Sequence, residues 1–267
     1  MKVGVGSYAY RWAVRWRRMD VFALLDRSHE AGAEVVQICD NLPLDSLSRR
    51  ELADLAWHGA ELGLTLEVGI RGSQPEHLHR SLDVAEQLGA RLLRVALADA
   101  GWEPSLEEIA GVFRALLPKL HVLGITVAIE NHFRLLPSEL VSLIQHVDDP
   151  LVGICLDPLN SITRLVGPAE TVATLAPFAV SVHVKDAVST RLNTGFYIAG
   201  CPLGEGLVDV PGMLAALRAA GRSPNLLVEC WMDRLEDEEV TLMQEQAWVR
   251  QGIAYLRQLL DEDLPTR

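Results

Sequence analysis

With 267 residues, 49% of them hydrophobic, the chain is long enough to bury a large core and fits one domain spanning residues 1–267. Its net charge of −12 argues against a nucleic-acid partner, because affinity for polyanions depends on clustered cations. Its four cysteines form no Cys-x-x-Cys pair, and no run approaches the roughly 20 apolar residues that span a bilayer, so we expect a cytoplasmic protein without a membrane partner.

Strand-like and helix-like segments alternate along the chain. Asp20 and the pair Ser105 and Glu108 mark helix starts, and Gly124 marks a helix end. The predicted strands are Val3–Tyr8, Glu34–Cys39, Leu64–Ile70, Arg91–Leu97, Ile125–Glu130, Val152–Leu156, Val180–Lys185 and Asn225–Cys230. The predicted helices are Val21–Ala31, Ser48–Leu62, Pro75–Leu88, Ser105–Leu123, Ser138–His146, Pro168–Ala176, Pro211–Ala220 and Glu238–Leu260. Eight alternating units predict parallel strands in a single (β/α)8 TIM barrel.

The segment Ala187–Asp209 is much longer than an ordinary loop between a strand and a helix. It is rich in glycine and shows no clear strand or helix period. We therefore predict a segment without regular structure that covers the barrel mouth, since long loops of this kind are often lids or binding loops. Within it, Arg191 and Glu205 are candidates for contact with a substrate.

Polar side chains concentrate at the carboxyl ends of the later strands, where barrels of this kind carry their sites. In the seventh strand, His183 and Lys185 share one face while valines occupy the other. Three further strands end in the carboxylates Glu130, Asp157 and Glu229. Carboxylates at one mouth repel each other unless a cation neutralises them, so the pattern predicts one divalent metal ion. Oxygen-rich ligation favours Mn²⁺, with Mg²⁺, Co²⁺ or Zn²⁺ as alternatives.

Short motifs in fixed order extend this pattern: Ile129–His132, Cys155–Asp157, His183–Asp186, Pro202–Gly206 and Val228–Glu229. Together they resemble the xylose isomerase-like TIM barrels of the sugar phosphate isomerase and epimerase superfamily, and the resemblance spans the whole chain. It implies metal ligation by Glu130, Asp157, His183 and Glu229. It also implies that Glu130 and Glu229 exchange protons with a keto-sugar through a metal-stabilised enediolate. The sequence departs from the ketose 3-epimerases where Leu136 replaces a Glu and Asn160 replaces a substrate-binding His.

Other polar and aromatic residues are candidates for contact with a small carbohydrate. His132, Asn160, Lys185 and Trp102 are the ones we assign to substrate binding, although Lys185 could instead form a salt bridge with Asp157 or Asp186. Arg94 and Glu67 share the inward face of neighbouring strands, and we expect them to form a buried structural pair.

The leading hypothesis is a metal-dependent sugar isomerase or epimerase, active as a homo-oligomer such as a dimer or tetramer. A metal-dependent lyase or dehydratase acting by β-elimination on a keto-sugar or keto-glycoside is the alternative, because both reactions begin with a proton removed beside a carbonyl. An endonuclease IV-like DNA repair enzyme would need more His ligands and a cationic groove. A non-catalytic sugar-binding protein would not need all four ligand residues.

Overall fold

The computed structural model describes residues 1–97 and 104–262. Its core is a closed barrel of eight parallel strands, in which each strand pairs with the next one along the chain and the last pairs with the first. The barrel strands are β1 (Val3–Gly6), β2 (Val35–Ile38), β3 (Thr65–Arg71), β4 (Leu92–Ala96), β5 (Thr126–Glu130), β6 (Val152–Leu156), β7 (Ala179–Val184) and β10 (Asn225–Val228). The predicted (β/α)8 barrel is therefore confirmed.

The helices surround the barrel and begin where the sequence places capping residues. Asp20 accepts a hydrogen bond from the backbone N–H of Ala23, and Ser105 and Glu108 form the predicted capping box. The helices are α1 (Arg11–Arg15), α2 (Val21–Glu30), α3 (Arg49–Glu61), α4 (Pro75–Gln87), α5 (Leu106–Leu123), α6 (Pro137–Val147), α7 (Pro168–Leu175), α8 (Val210–Ala219) and α9 (Glu238–Glu262). Across 1–97 and 104–262, no helix combines the length and the apolar character needed to cross a membrane.

The two faces of the barrel strands differ in chemistry. Outward-facing valine, isoleucine and leucine side chains pack against the helices and form the main apolar core. Each such side chain contributes about 1.5–3 kcal/mol when it is fully buried. The inward face carries a small separate apolar cluster of Leu92, Ala128 and Cys155. The rest of the inward face includes buried polar side chains such as Gln37 and His183, so the barrel interior can carry a site.

Two regions differ from the sequence prediction. The first strand ends at Gly6, and the short helix α1 occupies part of the predicted loop that follows. The segment expected to lack regular structure contains an antiparallel hairpin of β8 (Asp186–Leu192) and β9 (Gly195–Cys201). Its cross-strand pairs, such as Thr190 with Tyr197, join residue types that favour extended structure. The two-residue connection before Gly195 was the missed hairpin signal.

Candidate active site

The carboxyl ends of β5, β6, β7 and β10 bring four predicted ligand residues together inside the barrel mouth. His183 Nδ1 lies 3.0 Å from Glu130 Oε1 and 3.4 Å from Glu229 Oε1. Glu130, Asp157 and His183 each offer a ligand atom, and these atoms lie within 4.8 Å of one another. All four side chains are buried. The spacing of strand ends in the sequence therefore corresponds to a compact cluster, which we call the acidic cluster.

Two buried cations contact the acidic cluster directly. Lys185 Nζ lies 2.7 Å from Asp157 Oδ2 and 2.8 Å from Glu229 Oε2. Arg94 Nη2 donates a hydrogen bond to Glu130 Oε2 at 2.5 Å. Arg94 does not form the pair with Glu67 that the shared face suggested. In the register of β3 and β4, Arg94 pairs with Gly69, which lies two residues after Glu67 along β3.

These contacts set the charge states of the cluster. Burial opposes ionisation of Glu130, but the positive charges of Arg94 and His183 outweigh it and hold the pKa of Glu130 well below its ordinary value. Burial likewise opposes the charge of His183, yet Cys155, Glu229 and Glu130 raise the pKa of its imidazole well above its ordinary value. Lys185 is similarly desolvated, and the neighbouring carboxylates raise its pKa. Asp157 differs, because burial outweighs the positive charge of Lys185 and raises the pKa of its carboxyl group. The cluster thus places three acidic side chains beside three basic ones.

Two buried carboxylate oxygens of the cluster fit a divalent cation. Asp157 Oδ1 accepts hydrogen bonds from the backbone N–H groups of Leu159 and Asn160, so its Oδ2 is the atom that faces the cluster. Glu229 Oε1 is buried and accepts no hydrogen bond within the described part of the chain. Carboxylate oxygens with one imidazole nitrogen suit Mn²⁺, Mg²⁺ or Zn²⁺. The donor set therefore fits the ion that the sequence predicts.

Neighbouring residues hold the ligand side chains in position. Asn131 Oδ1 accepts a hydrogen bond from Asp157 N at 2.7 Å, and Asn131 Nδ2 donates to Asp157 O at 2.7 Å. Gly6 leaves space for Glu229, because a Cβ at this position would lie 2.9 Å from Glu229 Oε1. Asp186 accepts four backbone hydrogen bonds, from residues 187, 204, 206 and 208, and so anchors the turn after β9. Sequence reasoning assigned no role to Asn131 or Gly6, since neither partner is close in sequence.

A cavity of about 180 Å³ opens above the acidic cluster. Its rim includes Tyr8, Arg11, Arg71 and Trp231. The Tyr8 hydroxyl donates to Asp40 Oδ2 at 2.9 Å, and Arg71 Nε donates to the same oxygen at 3.1 Å. Burial raises the pKa of Tyr8 to about 12, with Asp40 adding to the effect, so its hydroxyl stays protonated at neutral pH. The rim thus combines aromatic rings with two guanidinium groups.

Three of the residues predicted to bind substrate line this cavity. His132, Asn160 and Lys185 all reach its wall. Burial lowers the pKa of His132 to about 4, so its imidazole is neutral at physiological pH. Asn160 Nδ2 donates to Glu130 Oε1 at 3.1 Å, and Lys185 forms the anticipated salt bridge with Asp157.

Two other predicted substrate residues, Arg191 and Glu205, do not line the cavity. Arg191 is exposed on β8, and Glu205 accepts a hydrogen bond from Gln251 Nε2 at 2.8 Å on the outer surface. Neither lines the cavity, because the segment that carries them forms the hairpin and the turn behind it. The hairpin contacts the mouth through Gly200, whose N–H donates to Trp231 O at 3.0 Å. Trp102 lies outside the described residues.

Comparison with known proteins identifies relatives of the whole chain. The sequence model of a family described as xylose isomerase-like TIM barrel matches residues 25–259. A 3-oxo-isoapionate decarboxylase of Pectobacterium atrosepticum is 33% identical over 261 residues, which cover 96% of this chain and 95% of that protein.

Solved structures share the fold at low sequence identity. A D-psicose 3-epimerase from Clostridium cellulolyticum H10, crystallised with D-tagatose, superposes with a TM-score of 0.77 at 15% identity, covering 97% of this chain and 99% of that one. The IolI protein with a bound zinc atom superposes with a TM-score of 0.71 at 16% identity, covering all of both chains.

Proposed function

Because the chain belongs to the xylose isomerase-like TIM barrel family, we propose that it is a divalent-metal-dependent enzyme that decarboxylates a 3-oxo sugar acid. The observation that carries this proposal is the similarity to the 3-oxo-isoapionate decarboxylase over nearly the full length of both proteins. The acidic cluster supports the metal dependence, and the cationic rim supports an acidic substrate.

The positive groups of the mouth fit the carboxylate that such a substrate carries. Arg11 is exposed on the rim and makes no ion pair within 1–97 and 104–262. Arg71 lines the same cavity, and its Nε donates to Asp40. Guanidinium groups bind carboxylates through two parallel hydrogen bonds, which makes them well suited to orient the acid group. A neutral sugar would give Arg11 no charged partner.

Decarboxylation of a 3-oxo acid breaks the bond between the carboxyl group and its neighbouring carbon. The electron pair of that bond passes towards the 3-oxo group, carbon dioxide leaves, and one proton is then added to the carbon. A divalent ion held by Glu130, Asp157, His183 and Glu229 would supply the positive charge that stabilises the developing enediolate oxygens.

Lys185 and Glu229 are our candidates for moving the proton. Lys185 Nζ lies 2.8 Å from Glu229 Oε2, and this ammonium stays charged at neutral pH because its carboxylate neighbours outweigh its burial. The pair therefore holds a proton beside the cavity. Glu130 is less suited to this role, since Arg94 and Asn160 each donate to one of its oxygens.

A sugar isomerase or epimerase is the second candidate. Glu130 ends β5 and Glu229 follows β10, with two strands between them, which would let them approach one carbon from opposite sides. One glutamate would remove a proton and the other would return it, as the sequence motifs imply. Epimerisation by this route requires both glutamates to carry protons, whereas isomerisation needs one glutamate and decarboxylation needs one donor.

An isotope experiment separates the two candidates. The metal-loaded protein is incubated in D₂O with a 3-oxo sugar acid, such as 3-oxo-isoapionate, carrying ¹³C in its carboxyl group. We expect release of labelled carbon dioxide and the gain of one deuterium by the carbon that carried the carboxyl group. Deuterium uptake without loss of label would instead favour epimerisation or isomerisation. Arg11→Gln should raise KM for the acid, whereas Arg191→Gln is the matched control and should leave it unchanged.

A further inference from the structure

A row of buried polar side chains crosses the barrel interior from the acidic cluster towards the opposite wall. His183 Nε2 lies 2.8 Å from Gln37 Oε1, and Gln37 Nε2 donates to Glu67 Oε2 at 3.0 Å. Asn225 Nδ2 donates to the other oxygen, Glu67 Oε1, at 2.8 Å. Gln37 is 0% exposed and Glu67 is 2% exposed, so water does not compete for these contacts.

The fold places the members of this row in contact although they are far apart in sequence. Gln37 and Glu67 are register partners on the adjacent strands β2 and β3. His183 stands on β7, across the barrel, and Asn225 begins β10 beside it. All four share the inward parity of their strands. The row is therefore specified by barrel closure and could not be recognised from local sequence.

The chemistry of the row fixes which way the Gln37 amide points. Both Glu67 oxygens accept from amide NH₂ groups, one of Gln37 and one of Asn225, so the Gln37 carbonyl oxygen faces His183. That oxygen in turn requires a proton on His183 Nε2. The unprotonated lone pair of the neutral imidazole must then lie on Nδ1, the nitrogen that faces Glu130 and Glu229.

We infer that Gln37, oriented by Glu67, is a positioning residue that selects the tautomer in which His183 Nδ1 can bind a metal ion. The inference rests on the proposed metal site and adds a group that the ligand set alone does not contain. Partners on the distal nitrogen of a ligating histidine fix its ring and increase its basicity. Here the partner is an amide whose own direction is set by a buried carboxylate.

Cation affinity tests this role. Gln37→Met keeps the length of the side chain but removes the acceptor, and we expect Mn²⁺ to bind about 10–100-fold more weakly in calorimetric titration. Ser181→Ala is the matched control, because Ser181 is equally buried on the inward face of β7, two residues before His183. Its hydroxyl has no hydrogen-bond partner within the described residues, so this change should leave Mn²⁺ affinity unaltered.

The tautomer provides a readout that does not depend on activity. In ¹⁵N-histidine NMR spectra of the Mg²⁺-loaded protein, His183 should show a protonated Nε2 that exchanges slowly with water. Gln37→Met should lose this slowly exchanging proton, whereas Ser181→Ala should keep it. The His183 signals are assigned by their absence in His183→Gln.

A swapped pair tests the order of the groups if the single variant is too unstable to purify. Gln37→Glu combined with Glu67→Gln moves the carboxylate next to His183 and still gives every member a partner. The swapped protein should keep the Nε2 proton and the wild-type Mn²⁺ affinity.

The outcomes distinguish two failures. Wild-type protein that binds no divalent cation would refute the proposed metal site itself. Tight wild-type binding that Gln37→Met leaves unchanged, with the same His183 tautomer, would overturn the role of Gln37 alone. Loss of affinity in a folded swapped pair would contradict it as well.

Discussion

Replacement of Arg94 by methionine should strongly destabilise the metal-free protein. The Arg94 and Glu130 side chains are 3% and 1% exposed, and Nη2 lies 2.5 Å from Oε2. Removal of one member of a buried pair leaves the other charge uncompensated, which costs about 3–5 kcal/mol. For a chain of this size each kcal/mol corresponds to about 2–4 °C in Tm, so we expect Tm to fall by about 6–20 °C. A bound divalent cation also neutralises Glu130, so saturating Mn²⁺ should reduce this loss.

Unfolding by urea or heat, with EDTA and with Mn²⁺, measures both effects. Arg71→Met is the matched control, because Arg71 pairs with Asp40 while 41% and 23% of the two side chains are exposed. An exposed pair of this kind contributes less than about 1 kcal/mol. If Arg94→Met changed the free energy of unfolding no more than Arg71→Met does, the buried pair would not be what holds Glu130 ionised.

Three further predictions concern pH and side-chain space. Burial raises the pKa of Glu245 to about 7 from 4.5, so its protonated form is favoured by the fold. This preference should add about 3 kcal/mol to the free energy of unfolding below pH 4.5, and the gain should be lost as pH rises through 7. Glu245→Gln should remove this part of the pH dependence of urea unfolding. Gly6→Ala should displace Glu229 and weaken Mn²⁺ binding by about tenfold or more, which corresponds to about 1.4 kcal/mol. Gly111→Ala is the control and should leave Mn²⁺ binding unchanged, because there is open space around its Cβ. Equal Mn²⁺ affinities of the two variants in calorimetry would refute this prediction. Because His183 carries a raised pKa, Mn²⁺ affinity should increase with pH and about one proton should be released per ion, measurable by calorimetry in buffers of different ionisation enthalpy.

Much of the cluster could be predicted because strand geometry is local. Alternation along the seventh strand places His183 and Lys185 on one face, and parallel strands present their carboxyl ends at one mouth. These two rules bring Glu130, Asp157 and Glu229 close to His183 without knowledge of any contact. The structure agrees with them, since His183 Nδ1 lies within 3.4 Å of two of these carboxylates.

Partners set by strand stagger could not be predicted in the same way. Parity shows that Arg94 and Glu67 both face inward, but only the register of β3 and β4 shows that they stand at different heights. Arg94 therefore reaches Glu130 and not Glu67. The hairpin was missed for a different reason, since its glycines indicated a loop more strongly than its short extended pairs indicated strands.

Metal content decides whether the acidic cluster is a metal centre. Elemental analysis of the purified protein, after Mn²⁺ loading and removal of free ion, should give about one divalent cation per chain. Asp157→Asn and His183→Ala should each lose most of it, because each removes a donor from the cluster. Full occupancy in both variants would contradict the assignment of these side chains as ligands.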